Sequence, residues 1–380
     1  MYKRQTNSST ITNAEGDFIL KIPNNNTSPK ISIKALGYKD TTLEVKNIKE
    51  EIKILMTPSA IDLTEIEVVS YKSARDLVYK VFKQKRENYS DQKVKMTAFY
   101  RETIKNRRRN ASLSEAVVSI EKQAYTSKSD DKVGLVKARK NTNYNRLDTI
   151  ALKLQGGPFS ALYVDLIKYP EYVFTAQALD AYDFKFNKRT ELNGSNIIVV
   201  SFKPQENRVG PLYFGELYIN PDNLALQKAD FRLDLRNKNA VNEVFIKKKP
   251  GDVKIAPKNI AYTVDYREKN GKWYYGYSKA ILAFEVKRRR KLFKSIFTLT
   301  CEMAVTDWSL SNTEETLKAR IIKPSIIMAD QNIGFRDPDF WGEYNVIEPE
   351  KSIESAIRKI QRKLNKEKEK SPSSSSLGGK

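Results

Sequence analysis

The stretch Leu212–Leu235, LYFGELYINPDNLALQKADFRLDL, predicts a β-hairpin around which the large domain of the chain is built. Its first half alternates between two faces up to Ile219, and Asn220–Asn223 then supplies a turn with Pro221 at the second position, where a fixed φ is favoured. The apolar residues of the return strand change parity, with Leu224 and Leu226 on one side and Phe231, Leu233 and Leu235 on the other. One residue near Gln227 or Lys228 must therefore bulge to keep the apolar face inward.

The same period of two continues through most of the chain from Val94 to Trp308, which predicts a large β-sheet. Asn270–Gly271 is typical of a two-residue hairpin turn. The other strands are predicted at Val94–Ile104, Leu113–Tyr125, Val133–Ala138, Tyr182–Leu192, Ile197–Lys203, Val241–Lys248, Ile260–Arg267, Trp273–Val286 and Leu292–Trp308. The predicted fold is mainly β with a few helices: a small β-sandwich, followed by a large curved, mostly antiparallel sheet or half-barrel with covering helices.

Three helical stripes are predicted, and the sheet is expected to curl around one or two of them. Ser73 can cap a helix that runs to about Glu87, with Asp76 at capping-box spacing. A second stripe follows Pro158 and ends before Pro170, and a third starts at Pro349 with cations in its second half, where the helix dipole favours them.

The second stripe and one strand carry the side chains expected to face the interior of the sheet, as core or as a lid. They are Phe159, Leu162, Tyr163, Leu166, Trp273 and Tyr275. Such an interior is either filled by the chain's own side chains or left open as a ligand cavity.

The chain carries 68 Lys and Arg against 46 Asp and Glu, a formal net charge of +22. An excess of this size suggests an anionic partner, although a solvated basic surface without a partner is the plain alternative. Two clusters fall between predicted strands and should lie on hairpin loops, where they could contact lipid phosphates. These candidate contacts are Lys105, Arg107, Arg108, Arg109, Lys287, Arg288, Arg289, Arg290 and Lys291. Aromatic residues do not interleave with them, which argues against nucleic acid.

The absence of histidine excludes several kinds of active site. A histidine general base, a histidine-assisted nucleophile and a histidine-liganded zinc site are ruled out. The single cysteine, Cys301, is expected to be a buried core thiol. Asp337, Asp339 and Glu343 could bind Ca²⁺, but their spacing with Pro338 and Gly342 favours a turn with solvated acids. We therefore expect no cofactor, no metal and no catalytic residue, and no apolar run is long enough for a transmembrane helix.

The N-terminal region resembles a known module. The segments Thr12–Phe18, Ile22–Pro23, Ile31–Ile33 and Leu36–Lys39 are similar to the carboxypeptidase-regulatory-like domain of Bacteroidota envelope proteins. The resemblance implies a transthyretin-like β-sandwich that lacks its first strands, and a location in the cell envelope. By its topology, the sheet that curls around helices resembles the half-barrel of lipoprotein-carrier (LolA-like) proteins.

These observations predict six parts: a disordered lead (1–9), the incomplete sandwich (10–58), a connector (59–72), a half-barrel-like domain (73–330), an aromatic segment with a C-terminal helix (331–368) and a disordered tail (369–380). The chain is expected to be a non-enzymatic envelope protein, periplasmic or associated with the outer membrane, that binds an apolar or lipid ligand or an outer-membrane surface. The alternative is an interaction or scaffold module with a protein partner, within a TonB-linked glycan-uptake or secretion system. An enzyme that uses carboxylates or a Ser-Lys pair is a third hypothesis, and the oligomeric state is left open.

Overall fold

The computed structural model describes most of the chain. The described residues are 8–22, 29–44, 52–59, 72–142, 155–174, 178–187, 190–192, 195–206, 211–236, 251–289, 293–310, 319–331, 338–355, 357–358 and 362. The predicted strand Val241–Lys248, residues 60–71 of the connector and the tail lie outside them.

A single 12-stranded antiparallel sheet forms the centre of the described structure. Its strands are β3 (Val94–Asn106), β4 (Arg109–Lys122), β5 (Lys132–Thr142), β6 (Tyr182–Phe186), β7 (Thr190–Leu192), β8 (Ser195–Pro204), β9 (Tyr213–Ile219), β10 (Leu226–Leu233), β11 (Val253–Lys269), β12 (Lys272–Arg288), β13 (Ser295–Leu310) and β14 (Arg320–Ile322). Their order is β14-β5-β4-β3-β13-β12-β11-β10-β9-β8-β6, and β7 pairs with β8. The mainly β fold class with a large antiparallel sheet is confirmed.

The hairpin that organises the sheet forms as predicted. β9 and β10 pair, and their register shifts between Leu226 and Lys228, so that Gln227 is the bulged residue. A bulge turns the following residues to the other face, so Ala229 and Phe231 point to the same core as Leu226. Asn270–Gly271 also forms the expected turn, with positive φ at both residues and Lys269 paired with Lys272.

Short helices cover one face of the sheet. They are α1 (Ala74–Lys83), α2 (Lys85–Asn88) and α3 (Pro158–Leu162). Ser73 caps α1 by accepting a hydrogen bond from the Asp76 N–H at 3.0 Å, as predicted. The helix predicted between Pro158 and Pro170, α3, is shorter than expected. The Asp165 carboxylate accepts the N–H groups of Ile167 and Lys168 and holds the chain in a turn there.

Several of the pairings in the sheet contain register shifts, which curl it toward the helices. Lys122 on β4 and Tyr266 on β11 are four strand positions apart, roughly 19 Å in a flat sheet. Both side chains reach the carboxylate of Asp165, at 2.7 and 2.9 Å. This face is therefore the concave one, and the main core lies between it, α1 and residues 155–174.

Segments from both ends of the described chain cover the convex face. Residues 8–22 run beside residues 342–351, where the Lys21 N–H donates to Asn345 Oδ1 at 2.6 Å. Residues 17–22 form no strand, since this segment bonds to side chains and turns instead of to a neighbouring strand. Residues 351–355, 357 and 358 are helical, which places a helix after Pro349 as expected.

Residues 29–59 contribute a small two-stranded sheet on the same face. β1 (Lys30–Ile33) pairs with β2 (Thr41–Glu44), and Leu36 packs against Ile197 and Val199 of β8. Residues 52–57 form no strand, and Pro58 makes an isolated bridge to Tyr38. The incomplete sandwich expected for residues 10–58 stays a prediction.

Within the part of the chain that the structure describes, no helix has the length and apolar character needed to cross a bilayer.

Candidate functional site

The two basic clusters, far apart in the sequence, meet at one end of the sheet. β3 pairs with β13, and this pairing places Asn106 opposite Phe297. The turn between β3 and β4 therefore lies beside the loop that joins β12 to β13. Two hydrogen bonds connect them: the Arg107 N–H donates to the Ile296 carbonyl at 2.7 Å, and its guanidinium donates to the Lys294 carbonyl at 3.0 Å.

We call this region the basic end, and define it by the cations Lys105, Arg107, Arg108, Arg109, Lys254, Lys287, Arg288, Arg289 and Lys294. Arg107–Arg109, Lys287, Arg289 and Lys294 are exposed. Nearby carboxylates partly balance the charge: Glu350 lies 3.7 Å from Lys105, and Glu285 lies 2.8 Å from Lys294. Cations dominate, and the basic end is a positively charged surface as the sequence predicted. Two further predicted contacts, Arg290 and Lys291, lie outside the described residues.

The predicted interior residues also come together, in the main core. Phe159, Leu162 and Leu166 of the covering segment are at most 3% exposed. Trp273 and Tyr275 of β12 belong to the same cluster, and Tyr163 packs against it half-buried. These six side chains fill the concave face that they were expected to line.

A buried charged cluster in this core was not predicted from the sequence. Lys122 Nζ lies 2.7 Å from Oδ2 of both Asp131 and Asp165. The three side chains are 0–1% exposed. Rings of Tyr125, Tyr169 and Tyr275 surround the ammonium group, with centres 5.2–5.7 Å away. Cation–π contact adds to the ion pairs in such surroundings.

Hydrogen bonds complete this cluster and tie the covering segment to the sheet. Tyr169 donates to Asp131 at 2.7 Å, and Tyr266 donates to Asp165 at 2.9 Å. Burial lowers the pKa of Lys122, but the charges of the two carboxylates raise it more, so the ammonium form is favoured. The arrangement is that of a structural clasp, because every charged member is paired and shielded from water.

Glu102 is a further buried acid on the concave face. It is 1% exposed and accepts a hydrogen bond from Tyr100 at 2.9 Å, while its Oε1 has no hydrogen-bond partner among the described residues. Ser114, its neighbour on β4, is fully buried, and its hydroxyl has no partner within the same part of the chain. Burial raises the pKa of Glu102 to about 7, an effect that the Tyr100 hydrogen bond offsets only in part.

On the convex face, a third buried group fixes the aromatic C-terminal segment. Glu115 accepts from Arg101 at 2.8 Å and from Arg139 at 2.6 Å. Burial raises the pKa of Glu115, but the two guanidinium groups lower it more. Arg101 also donates to the Ile347 carbonyl at 2.7 Å. The guanidinium carbon of Arg139 lies over the Trp341 ring, 5.0 Å from the ring centre. This group holds the segment against the sheet.

The carboxylate triplet of the C-terminal segment falls largely outside what the structure describes. Asp337 and the side chain of Asp339 are not described, and Glu343 is exposed. Among the described residues, no group of three or more Cys, Asp and Glu is arranged to hold a metal ion. The expectation of no metal remains a prediction.

Comparison with known proteins yields structural similarity only. No family model matches the chain, and no curated protein matches it. It is similar to a solved domain described as an outer membrane lipoprotein-sorting protein from Vibrio parahaemolyticus, at 10% identity and a TM-score of 0.27, covering 64% of this chain and 96% of that one. It is also similar to a DUF1329 family protein from Desulfovibrio piger, at 11% identity and a TM-score of 0.24, covering 62% and 90%. At these TM-scores neither similarity bears on what the chain does.

Proposed function

We propose that this chain is a non-enzymatic cell-envelope protein that binds an anionic lipid surface through its basic end. The observation that carries the proposal is the meeting of the two basic hairpin ends, which are linked by the Arg107 hydrogen bonds. Exposed cations near an anionic membrane contribute about 1 kcal/mol each. Several of them on one rigid end of a sheet can therefore hold the protein at a membrane.

The filled core favours surface binding over carriage of a ligand inside the described part of the sheet. Phe159, Leu162 and Leu166 occupy the concave face where an acyl chain would lie, and they pack against Tyr275. A carrier would have to displace these side chains, at a cost of the same order as removing core side chains. Binding at the basic end leaves the core intact.

A location in the envelope is supported by the resemblance of residues 12–39 to the regulatory-like module of envelope proteins. The lack of histidine excludes catalysis by a histidine side chain, and it supports a non-enzymatic role only to that extent. A periplasmic position would place the basic end within reach of the anionic lipids of an envelope membrane.

Removing four exposed cations of the basic end should weaken binding to anionic vesicles on the order of 1,000-fold, since each contributes about 1 kcal/mol and about 1.4 kcal/mol is a factor of ten. The variant carries Arg108→Ala, Arg109→Ala, Lys287→Ala and Arg289→Ala. Binding is measured by co-flotation with vesicles of phosphatidylglycerol and phosphatidylethanolamine at low ionic strength.

The matched control removes the same charge elsewhere, with Lys30→Ala, Lys93→Ala, Lys128→Ala and Lys132→Ala, all exposed. Lys93 and Lys132 lie at the opposite end of the sheet, beside Glu121. This control should lose less than about fivefold, because cations that do not face the surface are screened. Equal losses in the two variants would show that net charge alone drives binding, and would refute the proposed site.

A further inference from the structure

An exposed aromatic ring stands at the basic end, outside the buried clusters formed by the described residues. Phe293 is 79% exposed and lies directly before Lys294 in the loop between β12 and β13. The nearby Ile296 is 44% exposed, so two apolar side chains are exposed together among the cations of the basic end. We propose that Phe293 inserts into the apolar layer of a membrane while the surrounding cations contact lipid phosphates. This inference rests on the proposed function.

The backbone next to Phe293 is held firmly enough to present the ring. Lys294 pairs with Glu285 at 2.8 Å through its side chain, and its carbonyl accepts the Arg107 guanidinium at 3.0 Å. Ile296, itself 44% exposed, accepts the Arg107 N–H at 2.7 Å. Contacts from two hairpins therefore fix residues 294–296, which follow the ring. Membrane binding has to order little of this segment, which lowers the entropic cost of binding.

The chemistry of the ring selects a lipid surface among anionic partners. A phenyl side chain has no hydrogen-bonding group and no charge, so it contributes nothing to the binding of free phosphate or of the sulfate and carboxylate groups of a polyanion. It gains from transfer out of water into acyl chains, in proportion to the apolar area that is removed from water. Cations alone would suit any polyanion, whereas cations around an exposed phenyl ring suit a bilayer with anionic headgroups.

The experiment compares Phe293→Ala with the wild-type protein on two ligands: phosphatidylglycerol vesicles and heparin. We expect about tenfold weaker binding to vesicles, as partial burial of one Phe side chain supplies, and unchanged binding to heparin. The control Leu55→Ala removes an apolar side chain that is 80% exposed outside the basic end, and should leave both affinities unchanged.

A second measurement reports insertion directly. In Phe293→Trp, brominated acyl chains should quench more fluorescence than in the wild-type protein, whose Trp273 and Trp341 are buried. The third tryptophan, Trp308, is half-buried and lies at the opposite end of the sheet, beside Met96. Vesicle binding that Phe293→Ala leaves unchanged, or no added quenching in bound Phe293→Trp, overturns insertion and leaves the electrostatic site standing. Failure of the wild-type protein to bind vesicles at all overturns both the insertion and the proposed function.

Discussion

Lys122→Met should lower the free energy of unfolding by about 3–5 kcal/mol, the usual cost of removing one partner from a buried ion pair. The substitution leaves Asp131 and Asp165 buried with no ammonium group between them. Lys168 cannot replace it, because its ammonium group already donates to the carbonyls of Ala124 and Ser127. Urea unfolding followed by circular dichroism measures the loss as a lower midpoint.

Lys132→Met is the matched control for this prediction. Lys132 lies 3.6 Å from Glu121, but its side chain is 66% exposed, so it should contribute less than about 1 kcal/mol. If the two variants unfolded at the same urea concentration, the clasp formed by Lys122, Asp131 and Asp165 would contribute nothing beyond a surface ion pair.

Glu102→Gln should become more stable relative to the wild-type protein as the pH rises from about 4.5 to 8, by about 3 kcal/mol in all. Glu102 has a pKa of about 7 in the folded protein, against an ordinary value of 4.5. The folded state therefore keeps a proton that the unfolded state releases, and the wild-type protein loses stability through this interval. Glutamine does not titrate, so the variant escapes the loss.

The measurement is the difference in unfolding free energy between variant and wild type at several pH values, which cancels any constant packing effect of the amide. Glu121→Gln is the control: partial burial raises the pKa of Glu121, but Lys93 and Lys132 lower it more. The titration of Glu121 is therefore complete below about pH 5.5. The difference in unfolding free energy between Glu121→Gln and the wild-type protein should stay constant between about pH 5.5 and 8. A flat difference for Glu102→Gln as well would show that Glu102 is ionised in the folded protein.

Local features of the fold were predictable because they depend on neighbouring residues. The parity change in β10 located the bulge at Gln227, and the capping pattern located the start of α1 at Ser73. The end of α3 was not predictable, because the turn depends on the buried carboxylate of Asp165, whose partner Lys122 lies 43 positions earlier in the sequence.

One feature of the sequence could have predicted part of the buried clasp. Lys122 has the same parity on β4 as Ala116, Val118 and Ile120, which face the core. A cation at an inward position needs a buried partner, but the sequence offers 46 acids and no means of choosing between them. The convex cover formed by residues 8–22 was missed for a related reason, since its partners are side chains more than 300 positions away.

The residues of the candidate site were predictable from the sequence, but the surface that they form together was not. The sequence placed Lys105–Arg109 and Lys287–Lys291 at hairpin ends, and the described parts of both clusters lie there. Their meeting depends on the pairing of β3 with β13, two strands separated by nearly the whole sheet in chain order. Phe293 was missed because it falls in an apolar run that predicts a strand, and its exposure follows from β13 starting only at Ser295.

Co-flotation of the wild-type protein with vesicles of increasing phosphatidylglycerol content tests the central claim most directly. We predict binding that rises with the anionic lipid, is absent on pure phosphatidylcholine in moderate salt, and weakens steeply as salt is added, since screening acts on the cations of the basic end. Equal binding to both lipids, or no binding to phosphatidylglycerol at low salt, would contradict the claim that the basic end is a membrane-binding surface.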